Sequence, residues 1–341
     1  MSKRDLLSFV DLSRDEMMAI FRLAAELKAK QKQGIRHELL RGRGMALVFE
    51  KPSLRTRVSF EVGMAQLGGY VVFLGPAEIG LGSRETPADC ARNLARWIDI
   101  ITVRTFSQKV VEEMAEYSTI PVINALTDLY HPCQVLADCL TLIEHKGQLD
   151  GLKIAFVGDG NNMVNSWIEA AEKLPIAFAI ACPQGYEPNP EIVKRALQNG
   201  ANVTVTHSVE QAVRGADAVY TDVWASMGQE MESQRRAKAF RAYQLNHKVV
   251  AMAKKDAAVM HCLPAHRGEE ITDDVLESPQ CIAFDQAENR LHVQKALMVW
   301  LLNETRSKVQ KFKSSKTRRL GNSRVQSIAA SKNRMGNRGV R

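Results

Sequence analysis

The stretch Phe49-Glu50-Lys51-Pro52-Ser53-Leu54-Arg55-Thr56-Arg57-Val58-Ser59-Phe60 decides how the rest of the chain is read. It follows the apolar run Met45 to Phe49, which reads as a buried strand. It leads into Val58-Ser59-Phe60-Glu61-Val62-Gly63-Met64, whose apolar spacing suits a helix. A polar loop between a strand and a helix N-terminus is the geometry of an anion site. The first N–H groups of the helix lack intrahelical partners, and the peptide dipoles add partial positive charge. Ser53 and Thr56 add hydroxyl donors, and Arg55 adds a planar fork that matches phosphate. The same residues also fit a capped helix with a solvated basic face, so the loop alone leaves both readings open.

Around this loop lie 341 residues, enough for two α/β domains with full cores, and their 45% hydrophobic and 25% charged content is that of a soluble globular protein. No apolar run approaches the roughly 20 residues of a membrane helix. Met1-Ser2-Lys3-Arg4-Asp5 passes straight into an amphipathic helix without a signal-peptide core, so no export is expected. The cysteines, Cys90, Cys133, Cys139, Cys182, Cys262 and Cys281, are scattered and never form a C-x-x-C pair. They read as reduced cytoplasmic thiols, with neither a zinc site nor a disulfide framework. The net charge of +8 is unevenly spread: twelve Lys or Arg and no acidic residue lie between Thr305 and Arg341, which leaves −4 for residues 1–304.

Ser13-Arg14-Asp15-Glu16 is a capping box ahead of a helix with Met17, Ile20, Phe21, Ala24 and Leu27 on one face. After the opening loop, a strand over Tyr70 to Leu74 ends at Gly75-Pro76, and a glycine-rich stretch through Gly80, Gly82 and Arg84 reaches the helix start Thr86-Pro87. Strands over Ile98 to Val103 and Ile120 to Asn124 flank a helix over Ser107 to Tyr117, and His131-Pro132 opens another helix. A second series begins at Ile154-Ala155-Phe156-Val157 and continues through Ile176 to Ala181, Val203 to Thr206 and Val219-Tyr220, with a helix over Pro190 to Gln198. Alternating strands and helices predict α/β architecture, with mostly parallel sheets covered on both faces. We expect two doubly wound domains, 1–149 and 150–285. A helix over 286–304, apolar at Val293, Ala296, Leu297, Val299, Trp300 and Leu301, crosses back to the first. Residues 305–341 read as a disordered tail. With Phe312 its only aromatic, the tail lacks a nucleic-acid stacking platform and reads as a solvated extension.

Further candidate residues follow predicted strands. Arg104 closes one; taken alone it is an ordinary surface arginine. In His131-Pro132-Cys133-Gln134, an imidazole at a helix start and an amide one turn later can face one ligand. Positive potential there favours neutral His131, a donor to a carbonyl oxygen, unless it merely caps the helix. Gly158-Asp159-Gly160-Asn161-Asn162 is half a dinucleotide fingerprint. Met163 replaces the third glycine and no acidic residue follows at Ala181-Cys182, so the turn suits a small polar ligand better than NAD. Asp222 with Ser226-Met227-Gly228 offers a carboxylate and a hydroxyl, or ordinary turn chemistry. In His261-Cys262-Leu263-Pro264 the thiol has no activating arrangement visible from spacing, and an inert Cys262 is the plain reading. Glu288-Asn289-Arg290 places an arginine on the last buried helix.

Together and in this order, these motifs resemble the aspartate/ornithine transcarbamoylase family over residues 5 to 303. The resemblance implies metal-free transfer of a carbamoyl group from carbamoyl phosphate to the side-chain amine of L-ornithine, with no cofactor. It assigns the phosphate to Ser53, Leu54, Arg55 and Thr56, and the carbamoyl end to Arg104, His131 and Gln134, with Arg290 adding positive charge. Asn162, Asp222, Ser226 and Met227 would hold ornithine, and Cys262 and Leu263 would line the junction of the two substrates. Arg104, His131, Asp222 and Cys262 are the expected catalytic residues. The family also implies a homotrimer or a multiple of it. Leu54 stands where many members carry Thr, and Gly80 near where bacterial relatives often carry Gln. A transcarbamoylase for putrescine or a modified ornithine is the alternative.

Overall fold

Two parallel sheets organise the protein, whose computed structural model describes residues 3–225 and 232–303. The first half runs α1 (Arg14–Lys32), β1 (Gly44–Phe49), α2 (Leu54–Gln66), β2 (Tyr70–Leu74), α3 (Pro76–Ile79), α4 (Pro87–Trp97), β3 (Ile100–Arg104), α5 (Gln108–Tyr117), β4 (Val122–Leu126) and α6 (Pro132–Lys146). The second runs β5 (Lys153–Val157), α7 (Asn162–Lys173), β6 (Ala177–Ala181), α8 (Pro190–Gln198), β7 (Asn202–Thr206), α9 (Val209–Val213) and β8 (Ala218–Thr221). It continues with α10 (Ser233–Phe240), α11 (His247–Val250), β9 (Ala258–His261) and α12 (Asp273–Leu276). Helix α13 occupies 283–303. Ser226, Met227 and the basic tail lie outside the described residues.

The strand orders are β2-β1-β3-β4 and β7-β6-β5-β8-β9, all neighbours parallel. Strands β1, β3 and β8 are buried throughout, as sheets covered on both faces require. In each sheet the order reverses beside its first strand, between β1 and β3 and between β5 and β8. Open α/β sheets hold ligands at such switch points, outside the carboxyl ends of the strands. The loops there begin at Glu50, Thr105, Gly158 and Asp222, so both switch points fall at predicted motifs.

Local signals explain most boundaries. The Ser13 capping box is formed, with Ser13 Oγ accepting from the Glu16 N–H (3.3 Å) and the Glu16 carboxylate accepting from the Ser13 N–H (2.9 Å). Strand β4 starts at Val122 rather than Ile120, because Pro121 has no N–H to give a ladder. Strand β3 starts at Ile100 rather than Ile98; the preceding Asp99 instead turns its carboxylate to the Gly44 N–H (2.9 Å). Helix α13 starts three residues before Gln286 and packs on the first domain. Gly63 of α2 permits that approach, since a Cβ there would lie 3.1 Å from the Lys295 side chain and 3.4 Å from Leu291. Lys295 is fully buried and donates to Gln31 (2.7 Å) and Gln66 (2.8 Å), with His37 Nε2 at 3.1 Å. Val293, Leu297 and Leu301 are fully buried in a core that also takes Phe49, Phe60 and Phe156. In transfer terms each such side chain contributes about 1.5–3 kcal/mol.

Candidate active site

Ser53 is the N-cap of α2, its Oγ accepting from the Thr56 N–H at 3.3 Å. Leu54, at the first helical position, is 74% exposed. Thr56 is buried, and its hydroxyl oxygen accepts from Arg290 Nη2 at 3.0 Å and lies 3.5 Å from Arg104 Nη1. The register that sets Phe49 opposite Arg104 brings the end of β3 beside this loop. Arg104 is therefore not the surface residue its strand-end position suggests: it is 8% exposed, and its Nε is buried without a partner.

Arg290, on α13, is 2% exposed and also donates through Nη1 to Gln134 Oε1 at 2.5 Å. His131 occupies the N-cap position of α6 but makes no capping bond with its side chain, and its buried Nδ1 has no partner. Its backbone N–H donates to Ser166 Oγ (2.8 Å), which ties the start of α6 to the second domain. Burial, then Arg290, Arg104 and Arg55, holds the imidazole well below its usual range, so His131 is neutral at neutral pH. The same crowding acts on the guanidiniums. Burial and the neighbouring Arg290 and Arg55 depress Arg104 to about 10, and burial lowers Arg55 and Arg290. Among the described residues none of these three arginines forms a carboxylate ion pair. Arg104 and Arg290 are buried, and buried cations without counter-ions are costly; an anion at this helix N-terminus would relieve that cost.

Across the seam, Asp222 follows β8 and is 8% exposed. Its Oδ1 accepts from Cys262 Sγ (3.0 Å) and the Val223 N–H (2.8 Å), and its Oδ2 from Asn161 Nδ2 (2.8 Å). Burial and the Asp222 charge push the Cys262 thiol well above its usual range, so it is a neutral donor and not a nucleophile. Leu263 adopts φ 57°, in the left-handed region that non-glycine residues rarely enter, and its N–H donates to His261 Nδ1 at 2.8 Å. His261 Nε2 faces Glu270 Oε1 at 3.1 Å, and both residues are fully buried. Asn162 begins α7 and donates to the Thr127 carbonyl at 2.7 Å; its neighbour Asn161 is the one that reaches Asp222. Arg55 feels the charge of Asp222, so the two halves face each other.

The ligand atoms of Asp222, His261 and Cys262 lie within 4.8 Å of one another, as do those of His266, Glu269 and Glu270. In the first group both imidazole nitrogens are engaged and the thiol keeps its proton, so the contacts are those of a hydrogen-bonded cluster. Close chain packing requires the glycine at 160: a Cβ there would meet Pro188 N at 2.2 Å and the Glu187 carbonyl carbon at 2.3 Å. Sequence reasoning missed Asn161, Asp138, Glu270 and Gln286. Asn161 had a signal, as a capping residue one position ahead of a helix; Glu270 and Gln286 had none.

These features define a two-domain α/β protein that presents cations for an anion on one side of a seam and a carboxylate on the other. Family models divide the chain near residue 150: residues 4–144 match the aspartate/ornithine carbamoyltransferase carbamoyl-P binding domain, and 150–301, most of α13 included, match the Asp/Orn binding domain. The chain is 53% identical over 300 residues to the ornithine carbamoyltransferase of Geobacter sulfurreducens, covering 88% of this chain and 99% of that one. With the ornithine carbamoyltransferase of Thermococcus kodakarensis it shares 50% over 303 residues, 88% of this chain and 96% of the relative. The solved structure of the Pyrococcus furiosus ornithine carbamoyltransferase superposes with a TM-score of 0.85 at 48% identity, covering 89% of this chain and 98% of that one. The chain belongs to the aspartate/ornithine carbamoyltransferase family.

Proposed function

We propose that this protein transfers the carbamoyl group of carbamoyl phosphate to the side-chain amine of L-ornithine, giving L-citrulline and phosphate. The observation that carries the reading is the cluster of Arg55, Arg104, Arg290 and neutral His131 at the start of α2, facing Asp222 and Cys262 across the domain seam. The first domain (1–149 with 286–304) binds carbamoyl phosphate, and 150–285 binds ornithine. Ser53, Arg55, Thr56 and the α2 amides, that of Leu54 included, hold the phosphate. Arg104, His131, Gln134 and Arg290 bind the carbamoyl end. Asn162, Asp222, Ser226 and Met227 hold ornithine, with Cys262 and Leu263 at the junction.

The chemistry follows from charge development. Attack of the amine on the carbamoyl carbon forms a tetrahedral intermediate with negative charge on its oxygen. Fixed donors at that oxygen lower the barrier, by roughly 10²–10³ in rate for one well-placed group. Arg104 and His131 fill that role, His131 through a ring N–H since it is neutral. The amine, with a free pKa of about 10, must be neutral to attack. Collapse expels phosphate, which accepts the proton the amine gives up. The product belongs to arginine biosynthesis, in the cytoplasm.

A trimer, or a multiple of it, fits the surface around α2. Leu54, Val58 and Val62 form an exposed apolar stripe at four-residue spacing, and edge strand β2 exposes Tyr70 and Val72 nearby. Steady-state rates with ornithine, putrescine and acetylornithine test the substrate assignment. Ornithine is expected to exceed the others in kcat/KM, and equal or better turnover of putrescine overturns the choice.

A further inference from the structure

Asp138 lies one turn beyond Gln134 on α6 and is fully buried. Its Oδ1 accepts from Gln134 Nε2 (2.9 Å) and from Gln286 Nε2 (2.8 Å), and its Oδ2 accepts from the Tyr220 hydroxyl (3.0 Å). The donors come from α6, α13 and β8, so this one carboxylate ties two helices to the second sheet. Burial raises it to about 6 in spite of the three donors, which leaves it ionised at neutral pH.

A carboxylate only accepts hydrogen bonds, whereas a side-chain amide has a donor end and an acceptor end. Asp138 therefore fixes which way two glutamines point. Gln134 must turn its NH2 inward, which leaves Oε1 to accept from Arg290; Gln286 must do the same, which leaves its Oε1 to accept from the His261 N–H at 3.0 Å. His261 in turn holds the Leu263 N–H. The carbamoyl NH2 of the substrate is itself a donor, so Gln134 serves it only with its carbonyl end outward. An inverted Gln134 would set two donors against each other at Arg290.

We propose that Asp138 is a positioning residue for carbamoyl transfer: it orients the Gln134 carbonyl toward the carbamoyl group and, through Gln286 and His261, sets the 261–263 segment that meets the amine. This inference rests on the reading that Gln134 binds the carbamoyl end. Asp138 does not touch the phosphate cradle, so its loss acts on alignment and not on phosphate affinity.

The test compares Asp138→Leu, Asp138→Asn and Gln286→Leu with the wild type in citrulline formation, with KM for each substrate. Asp138→Leu is expected to lower kcat at least thirtyfold with KM for carbamoyl phosphate within threefold. Asp138→Asn keeps an acceptor oxygen for both amides and is expected to recover at least fivefold of that loss. Gln286→Leu cuts only the branch to His261 and is expected to raise KM for ornithine at least fivefold, leaving KM for carbamoyl phosphate alone. It carries the test if Asp138→Leu fails to fold. Asp138→Leu with kcat within threefold of wild type, no recovery in Asp138→Asn, or an unchanged ornithine KM in Gln286→Leu overturns the proposal. A wild type that makes no citrulline from ornithine and carbamoyl phosphate refutes instead the function on which the proposal stands.

Discussion

Arg104→Met separates a functional arginine from a structural one, because the two predict opposite changes in stability. In the native protein Arg104 is 8% exposed and depressed to about 10 by burial and by Arg290 and Arg55. At about 1.4 kcal/mol per pKa unit, keeping it charged costs the fold on the order of 3 kcal/mol. Little offsets this, since Nε has no partner and the Nη1 contact with Thr56 is long at 3.5 Å. Methionine fills the volume of the stem and removes the charge, so the ligand-free variant is expected to melt at the wild-type temperature or a few degrees above it. At this size about 1 kcal/mol moves Tm by roughly 1–2 °C. Turnover should fall by about 10²–10³, the range for losing one oxyanion donor. Differential scanning calorimetry and citrulline formation read the two effects. Carbamoyl phosphate added to the scan supplies a third, since a ligand at about 100 times its Kd raises stability by about 2.7 kcal/mol and the variant should gain less. A Tm more than about 5 °C below wild type, together with kcat within threefold, would refute the reasoning.

Three further perturbations follow from the same contacts. Glu270→Leu leaves the His261 Nε2 and the His266 N–H without their acceptor; it should cost about 2–4 kcal/mol of stability and raise KM for ornithine but not for carbamoyl phosphate, and an unchanged urea midpoint would exclude it. Cys262→Ala removes the thiol donor to Asp222 and should raise ornithine KM roughly tenfold, with Cys262→Ser restoring most of it. Because the thiol sits well above its usual range, Cys262 should also react with iodoacetamide at pH 8 more slowly than free cysteine; faster alkylation would contradict the protonated assignment. Lys295 is lowered to about 8 by burial, so between pH 8 and about 10.4 the unfolded chain binds its proton while the native protein does not. Stability from this group therefore rises with pH across that window and is flat below it. The wild-type minus Lys295→Met difference in denaturation midpoint, followed from pH 7 to 10, should show that rise.

Sequence reasoning located the strands well because both sheets are parallel and buried, so apolar runs bounded by polar turns mark them with few competitors. Boundaries moved where one residue imposed a local rule, as Pro121 did at β4 and Asp99 at β3. The anion loop and the capped helix, rival readings of Ser53 to Thr56, turned out to be compatible: Ser53 caps α2, and Arg55 and Thr56 still face the guanidinium cluster. The supporting partners stayed hidden for a physical reason. Glu270 and Gln286 act through bonds to His261, 9 and 25 residues away in sequence, and nothing in either residue's immediate neighbourhood marks it. The burial of Arg104 was hidden in the same way, because it depends on α13 returning from the far end of the chain to lay Arg290 against the same hydroxyl.

The seam has an electrostatic consequence for the attacking amine. Under the proposed function, ornithine arrives as an ammonium beside Asp222, whose charge favours the protonated form, yet it must lose that proton to attack. Asp222 is not a bare carboxylate: Cys262, Val223 and Asn161 each donate to it, so its charge is spread over three hydrogen bonds and its pull on the proton is weakened. Facing it are Arg55, Arg104 and Arg290, whose repulsion adds to burial in holding His131 neutral. As carbamoyl phosphate binds, its own negative charge screens these arginines and admits the ammonium. As the oxyanion forms and phosphate departs, charge shifts toward the leaving group, which becomes the strongest base within reach. Asp222 is thereby suited to hold and aim the amine and poorly suited to deprotonate it. The ammonium proton must leave before attack, whereas the second proton, shed by the nitrogen once the new C–N bond has formed, follows the departing phosphate.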